Sequence, residues 1–130
     1  MMKAVLPELP NQELHFLVVA NSEPRKDPTV YLVLVTSQGA TNRKLIELWG
    51  ADPKTLVTIP NLPTFDGQTK ESYVNCNTVF QKTKAEFMEM LERKRTVKCQ
   101  DMPAAVMDQI ARGIVASRRV PEAVKRAVTA

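Results

Sequence analysis

The stretch Thr29-Val30-Tyr31-Leu32-Val33-Leu34-Val35-Thr36 decides the fold. Its β-branched and aromatic residues favour pleated backbone. Its lack of polar alternation predicts burial on both faces, as in a small barrel or the middle of a sheet. Upstream, the apolar run from Leu14 to Ala20, headed by His15, reads as a second buried strand. Between the two lies Asn21 to Pro28, whose residues favour turns for separate reasons: Pro presets φ, while Asn and Ser bond their own backbone. That connection is expected to be an exposed, mobile hairpin loop.

Downstream, Gln38 to Asn42 signals a turn, and Leu45, Ile46, Leu48 and Trp49 fit either a short helix or another strand. Leu56 to Ile59 is a short β-branched strand closed by Pro60 and Pro63, which lack the amide donor an interior ladder needs. Pro63 to Gln68 reads as loop. Ser72 to Phe80 reads as one strand with a polar centre at Asn75 and Asn77. Past Thr83 the period changes. Phe87, Met88, Met90 and Leu91 recur at helical spacing, predicting a helix from about Lys84 to Arg95. Asp101, two residues before Pro103, suits the start of another helix with Val106, Ile110 and Ile114 facing inward, where Gly113 is a weak point. Pro121 suits the first residue of a last helix running through Val128.

The chain of 130 residues is therefore expected to be a single β-rich α+β domain, mainly β over 1–83 and helical over 84–130. The first ten residues carry Pro7, Glu8 and Pro10 where an export signal would place an apolar run, and no segment is apolar enough to span a bilayer. A cytoplasmic location without membrane contact is expected. Cys76, Cys99 and the single His15 cannot assemble an ordinary four-ligand zinc site, so neither metal nor cofactor is expected.

Charge divides along the chain. Residues 1–80 hold seven Lys/Arg against eight Asp/Glu, whereas 81–130 hold eleven against six, within a net charge of +4. A basic helical end is compatible with phosphate binding, because Lys and Arg release condensed counterions from nucleic acid. Arg112, Arg118, Arg119, Lys125 and Arg126 either line such a surface or form the wet side of the helices.

One segment carries a family resemblance. Thr69-Lys70-Glu71-Ser72-Tyr73-Val74-Asn75-Cys76-Asn77-Thr78-Val79-Phe80, followed by Lys82-Thr83-Lys84 and Phe87, resembles a late strand of the MazF/PemK family entering its helix. Val33-Leu34-Val35-Thr36-Ser37 resembles the family's second strand, which often ends in Ser or Thr. The order of parts agrees over about two thirds of the chain. The resemblance implies a divergent member with a small SH3-like barrel of the MazF/CcdB type and C-terminal helices. It further implies a frequent homodimer, neutralised by an antitoxin, that in active members of toxin–antitoxin systems cleaves single-stranded RNA without metal.

Such cleavage needs a group to help deprotonate the ribose 2′-hydroxyl, a cation on the phosphate, and contacts that splay the bases. The resemblance puts an active-site arginine at Arg25, with Lys26 beside it on RNA, and a hydroxyl at Thr36 or Ser37. These meet at one phosphate if the hairpin loop folds over the strand. One departure bears on activity. Where family members have Arg-Pro immediately before the hydrophobic strand, this chain has Asp27-Pro28-Thr29-Val30, with Arg25 displaced upstream. The alternative is a catalytically inactive binding module, regulatory or phage-related, that engages nucleic acid or an acidic protein.

On a strand, Tyr73, Asn75 and Asn77 share one face, where Tyr73 offers a ring for stacking and the amides can bond base edges or cap loops. Thr36 and Ser37 equally suit capping of the next turn. His15 opens an apolar strand and reads as structural. Cys76 has no surrounding signature of a nucleophile.

Overall fold

The computed structural model describes residues 1–9, 14–59, 71–99 and 101–129. Seven strands form one antiparallel sheet: β1 (Met2–Val5), β2 (Leu14–Val19), β3 (Thr29–Thr36), β4 (Leu56–Ile59), β5 (Ser72–Asn75), β6 (Phe80–Thr83) and β7 (Val97–Lys98). Among the described residues there are four α-helices: α1 (Gly39–Trp49), α2 (Lys84–Glu92), α3 (Ala104–Ala116) and α4 (Glu122–Thr129). The order across the sheet is β4-β5-β3-β2-β1-β7, with β6 also on β3. The path is open. Where the sequence predicts a closed barrel, no pairing among the described residues joins β4 to β7. Both end strands are short, and helices cover the faces instead.

β3 lies in the middle and is buried on both sides, as its unbroken apolar sequence requires. Successive side chains alternate faces. Tyr31, Val33 and Val35 pack with Val106, Ile110 and Ile114 of α3 and Val124 and Val128 of α4. Val30 and Leu32 pack on the opposite side with Met2, Ala4, Leu6, Leu17 and Met90 of α2. Each such side chain contributes about 1.5–3 kcal/mol of burial.

The expected strand from Ser72 to Phe80 is broken. Val35 pairs with Val74 and Leu32 with Phe80, so three steps along β3 correspond to six along its partner. Three extra residues leave the ladder, and the chain turns through Cys76 to Val79 before rejoining β3 as β6. The inner strand β1 and the edge strand β7 are elements the sequence reading lacks: Met-Lys-Ala-Val has a single β-branched residue, and Val-Lys is too short to display a period.

The helix starts follow local chemistry. Thr83 Oγ1 accepts from the Glu86 amide at 3.1 Å and Glu86 Oε1 accepts from the Thr83 amide at 2.9 Å, a reciprocal cap at the head of α2. The Thr83 amide, and after it the Thr83 hydroxyl, hold the Glu86 carboxyl below its ordinary range. Helix α2 ends at Glu92, short of the expected Arg95. The ambiguous apolar piece is the helix α1, closed by Gly50 at φ 63°, whose amide bonds back to the Glu47 carbonyl. Asp101 does not cap α3. The Pro103 carbonyl takes the first helical bonds, from Val106 and Met107, and the helix begins at Ala104. The expected loop from Pro63 to Gln68 lies outside the described residues.

Gly113 has a packing reason. A methyl group there would sit 2.7 Å from Cys76 Sγ and 2.9 Å from the Lys54 carbonyl oxygen, so glycine lets α3 close onto the turn that breaks the strand. Gly113→Ala therefore overpacks this contact at a cost of about 1–3 kcal/mol, opposed by up to about 1 kcal/mol of helix propensity. A lower midpoint in urea with unchanged slope is the expected outcome; a stabilised variant contradicts the contact.

Candidate nucleic-acid interface

The turn between β5 and β6 is held by one carboxamide. Asn77 Nδ2 donates to Thr55 Oγ1 at 2.8 Å and to Asn75 Oδ1 at 3.0 Å, and Asn77 Oδ1 accepts from Ser117 Oγ at 2.6 Å. Asn75 Oδ1 also accepts from the Asn77 amide at 3.1 Å, while its Nδ2 donates to Asn42 Oδ1 of α1 at 3.1 Å. Both asparagines are buried. Their polar atoms cap loops, the second of the two roles open to them in the sequence. They do not project from one strand face, because the strand ends at Asn75 and Asn77 lies in the turn.

Arg25 and the hydroxyls of Thr36 and Ser37 are not brought together. The hairpin loop is fastened at the Thr29 end of β3. Asn21 donates to Asp27 and to the Thr29 carbonyl, each at 2.9 Å, and accepts from the Tyr31 amide at 2.8 Å. Ser22 bonds the Ala127 carbonyl of α4, and the Lys84 ammonium donates to the Pro24 carbonyl. Thr36 ends the same strand seven steps away, about 23 Å at a normal strand rise. Arg25 is exposed at one end; Lys26, beside it, pairs with Glu23 at 3.4 Å. At the other end, Thr36 Oγ1 accepts from the Gln38 amide at 3.1 Å and Ser37 is exposed.

Thr36, Tyr73 and Asn75 do come together around the head of α1. Thr36 pairs with Tyr73 across the ladder, and Thr36 and Asn75 line a cavity of about 190 Å³ with Leu34 and Phe80. No cation lines it. The Tyr73 ring packs where a Cβ on Gly39 would stand, 2.4 Å from the ring, and its hydroxyl donates to Glu71 at 3.0 Å, which raises its pKa.

In the helical end, one arginine points to another place. Arg112 pairs with Asp108 at 2.9 Å and Lys125 with Glu122 at 3.8 Å, and the buried Lys82 ammonium is taken by Glu8. Arg118, Arg119 and Arg126 of the helical end have no carboxylate partner among the described residues, as is also true of Arg25, Arg43 and Arg93; what sets Arg119 apart is an aromatic neighbour. The Arg119 guanidinium lies 4.1 Å from the centroid of the Trp49 ring. Trp49 and both arginines line a cleft of about 500 Å³ whose inner wall includes Asn77 and Ala116. The segment is positioned from below, because Ser117 Oγ, itself on Asn77, accepts from the Arg119 amide at 3.2 Å. Trp49 is the functional candidate that the sequence reading lacks. As the only tryptophan, at the end of a helix whose inward residue is Ile46, it carried a signal that the helix-or-strand ambiguity hid.

The remaining chemistry is quiet. Cys76 is fully buried and burial pushes its thiol up to about 12, which removes the thiolate a nucleophile requires. His15 is half-buried in β2 opposite Ala4. Among the described residues no cluster of His, Cys, Asp and Glu is arranged for a metal ion, and no helix is long and apolar enough to cross a membrane.

Two outcomes follow from this geometry. Asn77→Ala takes from Ser117 the acceptor of its hydroxyl and from Thr55 and Asn75 a donor, while Thr55 keeps the Asp52 carbonyl and Ser117 the Arg119 amide, and a loss of about 1–3 kcal/mol is expected in urea unfolding; a near-neutral variant means the network holds nothing. In the native protein, alkylation at neutral pH should modify half-buried Cys99 while Cys76 reacts only after unfolding, as read by intact-protein mass. Equal rates at the two thiols contradict the burial. No model of a protein family matches this chain, and no curated protein matches it in sequence.

Proposed function

We propose that the chain binds single-stranded RNA without cleaving it, as a divergent, inactive relative of the MazF/PemK toxins and their SH3-like barrel. The observation that carries this reading is the Arg119 guanidinium stacked on exposed Trp49, with Arg118 beside it, at the mouth of a cleft. Unpaired arginines supply phosphate contacts, and an aromatic face accepts any base by stacking. The order of strands and helices supports the kinship, whereas the separation of Arg25 from Thr36 and Ser37 speaks against a nuclease built on those three groups.

Trp49 is the sole tryptophan, so its fluorescence reports on the cleft directly. Oligoribonucleotides are expected to quench it at low salt, with affinity falling on a log-log slope of about −0.7 per phosphate contacted. Arg119→Ala and Arg118→Ala should each weaken binding and flatten that slope. Two results reject the reading: no response to any oligonucleotide at low ionic strength, or metal-free RNA cleavage that Arg25→Ala abolishes and Arg119→Ala leaves intact.

A further inference from the structure

Arg119 and Asn77 line two cavities. Besides the cleft at Trp49, they border a pocket of about 360 Å³. Its apolar walls are Tyr31, Val79, Val120 and Val124, and its polar edge is Gln81 and Thr78. Gln81 stands opposite Tyr31 in the β3–β6 ladder, so the two side chains leave the sheet on the same face, while Lys82 points to the other side and is buried with Glu8. The Gln81 carboxamide is exposed and has no hydrogen-bond partner within the described residues, unlike those of Asn21, Asn42, Asn75 and Asn77, which are all engaged internally.

A slot with apolar walls and one free donor–acceptor edge suits a flat heteroaromatic ring that carries hydrogen-bonding groups on its rim. A carboxamide presents an acceptor beside a donor, the complement of the amino group and ring nitrogen of adenine. Arg119 sits between this slot and the Trp49 cleft, where a phosphate linking two nucleotides would lie. We infer that the pocket at Gln81 is a base-reading subsite selecting adenine in single-stranded RNA, with the neighbouring nucleotide stacked on Trp49. This rests on the RNA-binding reading above. The Trp49 cleft then supplies affinity that is indifferent to sequence, and the Gln81 pocket supplies the preference.

Trp49 fluorescence titrations with oligoadenylate, oligouridylate and oligocytidylate of about ten nucleotides separate the two claims. The wild-type chain should bind oligoadenylate roughly tenfold more tightly than the pyrimidine oligomers. Gln81→Leu, at an exposed strand position that tolerates an apolar side chain, should bring oligoadenylate down to the pyrimidine level and leave pyrimidine binding unchanged. Equal affinity of the wild-type chain for all three oligomers, or an adenine preference that survives Gln81→Leu, overturns the subsite while RNA binding stands. Silence of Trp49 toward all three removes both.

Discussion

The carboxamide of Asn77 bonds three parts of the chain at once: Thr55 before β4, Asn75 at the end of β5, and Ser117 after α3. Through Asn75 it reaches a fourth, Asn42 of α1. A strand that leaves its ladder strands backbone and side-chain polar groups in the interior, and each costs about 1–3 kcal/mol if left unmatched. Here the break between β5 and β6 falls on the residues able to match them, and no described buried side-chain polar atom lacks a partner. Gly113 completes the arrangement by letting α3 approach the Cys76 turn at a distance no side chain would permit.

That network also determines which surface chemistry is displayed. Ser117 fixes the start of the Arg118–Arg119 segment, and α1 delivers Trp49 to meet it, so the guanidinium and the ring are presented by two elements tied to one buried hub. Elsewhere in the helical end two basic residues are neutralised at helical spacing, Arg112 by Asp108 and Lys125 by Glu122. Exposed pairs of this kind contribute little to stability, about 0–1 kcal/mol, but they subtract from the charge available to a partner. The net positive charge is therefore a poor guide to the interface; the arginine held against Trp49 is a better one.

The central strand was legible because burial on both faces removes polar alternation, and Thr29 to Thr36 has none. Leu56 to Ile59 and the helix beginning at Lys84 were legible for similar reasons: a proline stop in one, a capping threonine and a change of period in the other. β1 and β7 were not: Met-Lys-Ala-Val lacks the β-branched run and proline stop that marked Leu-Val-Thr-Ile, and β7 has only two residues. The break after Asn75 was hidden more deeply. Val-Asn-Cys-Asn alternates as a half-exposed strand would, yet the alternation arises from a turn in which Asn75 bonds the amide two residues on, the local competition with sheet pairing that asparagine favours. The candidate site suffered from the same cause: Asn75 and Asn77 looked like a polar face and are a buried clasp.

The hairpin loop was correctly placed in sequence but not in space. A strand whose neighbours pair along its full length keeps its two ends apart, so anything attached before Thr29 is separated from anything attached after Thr36 by the strand itself. Only a long loop lying back over the sheet would bring them together, and here Asn21 ties the loop to the start of β3, Ser22 ties it to α4 and Lys84 ties it to the head of α2. Arg25 therefore shares its end of the molecule with α4. The stacked arginine is different in kind, since α1, which carries Trp49, and the segment after α3, which carries Arg119, are both bonded to the same buried asparagine network, through Asn42 and Ser117. Contact enforced by tertiary packing survives side-chain motion, which is what a preorganised binding surface requires.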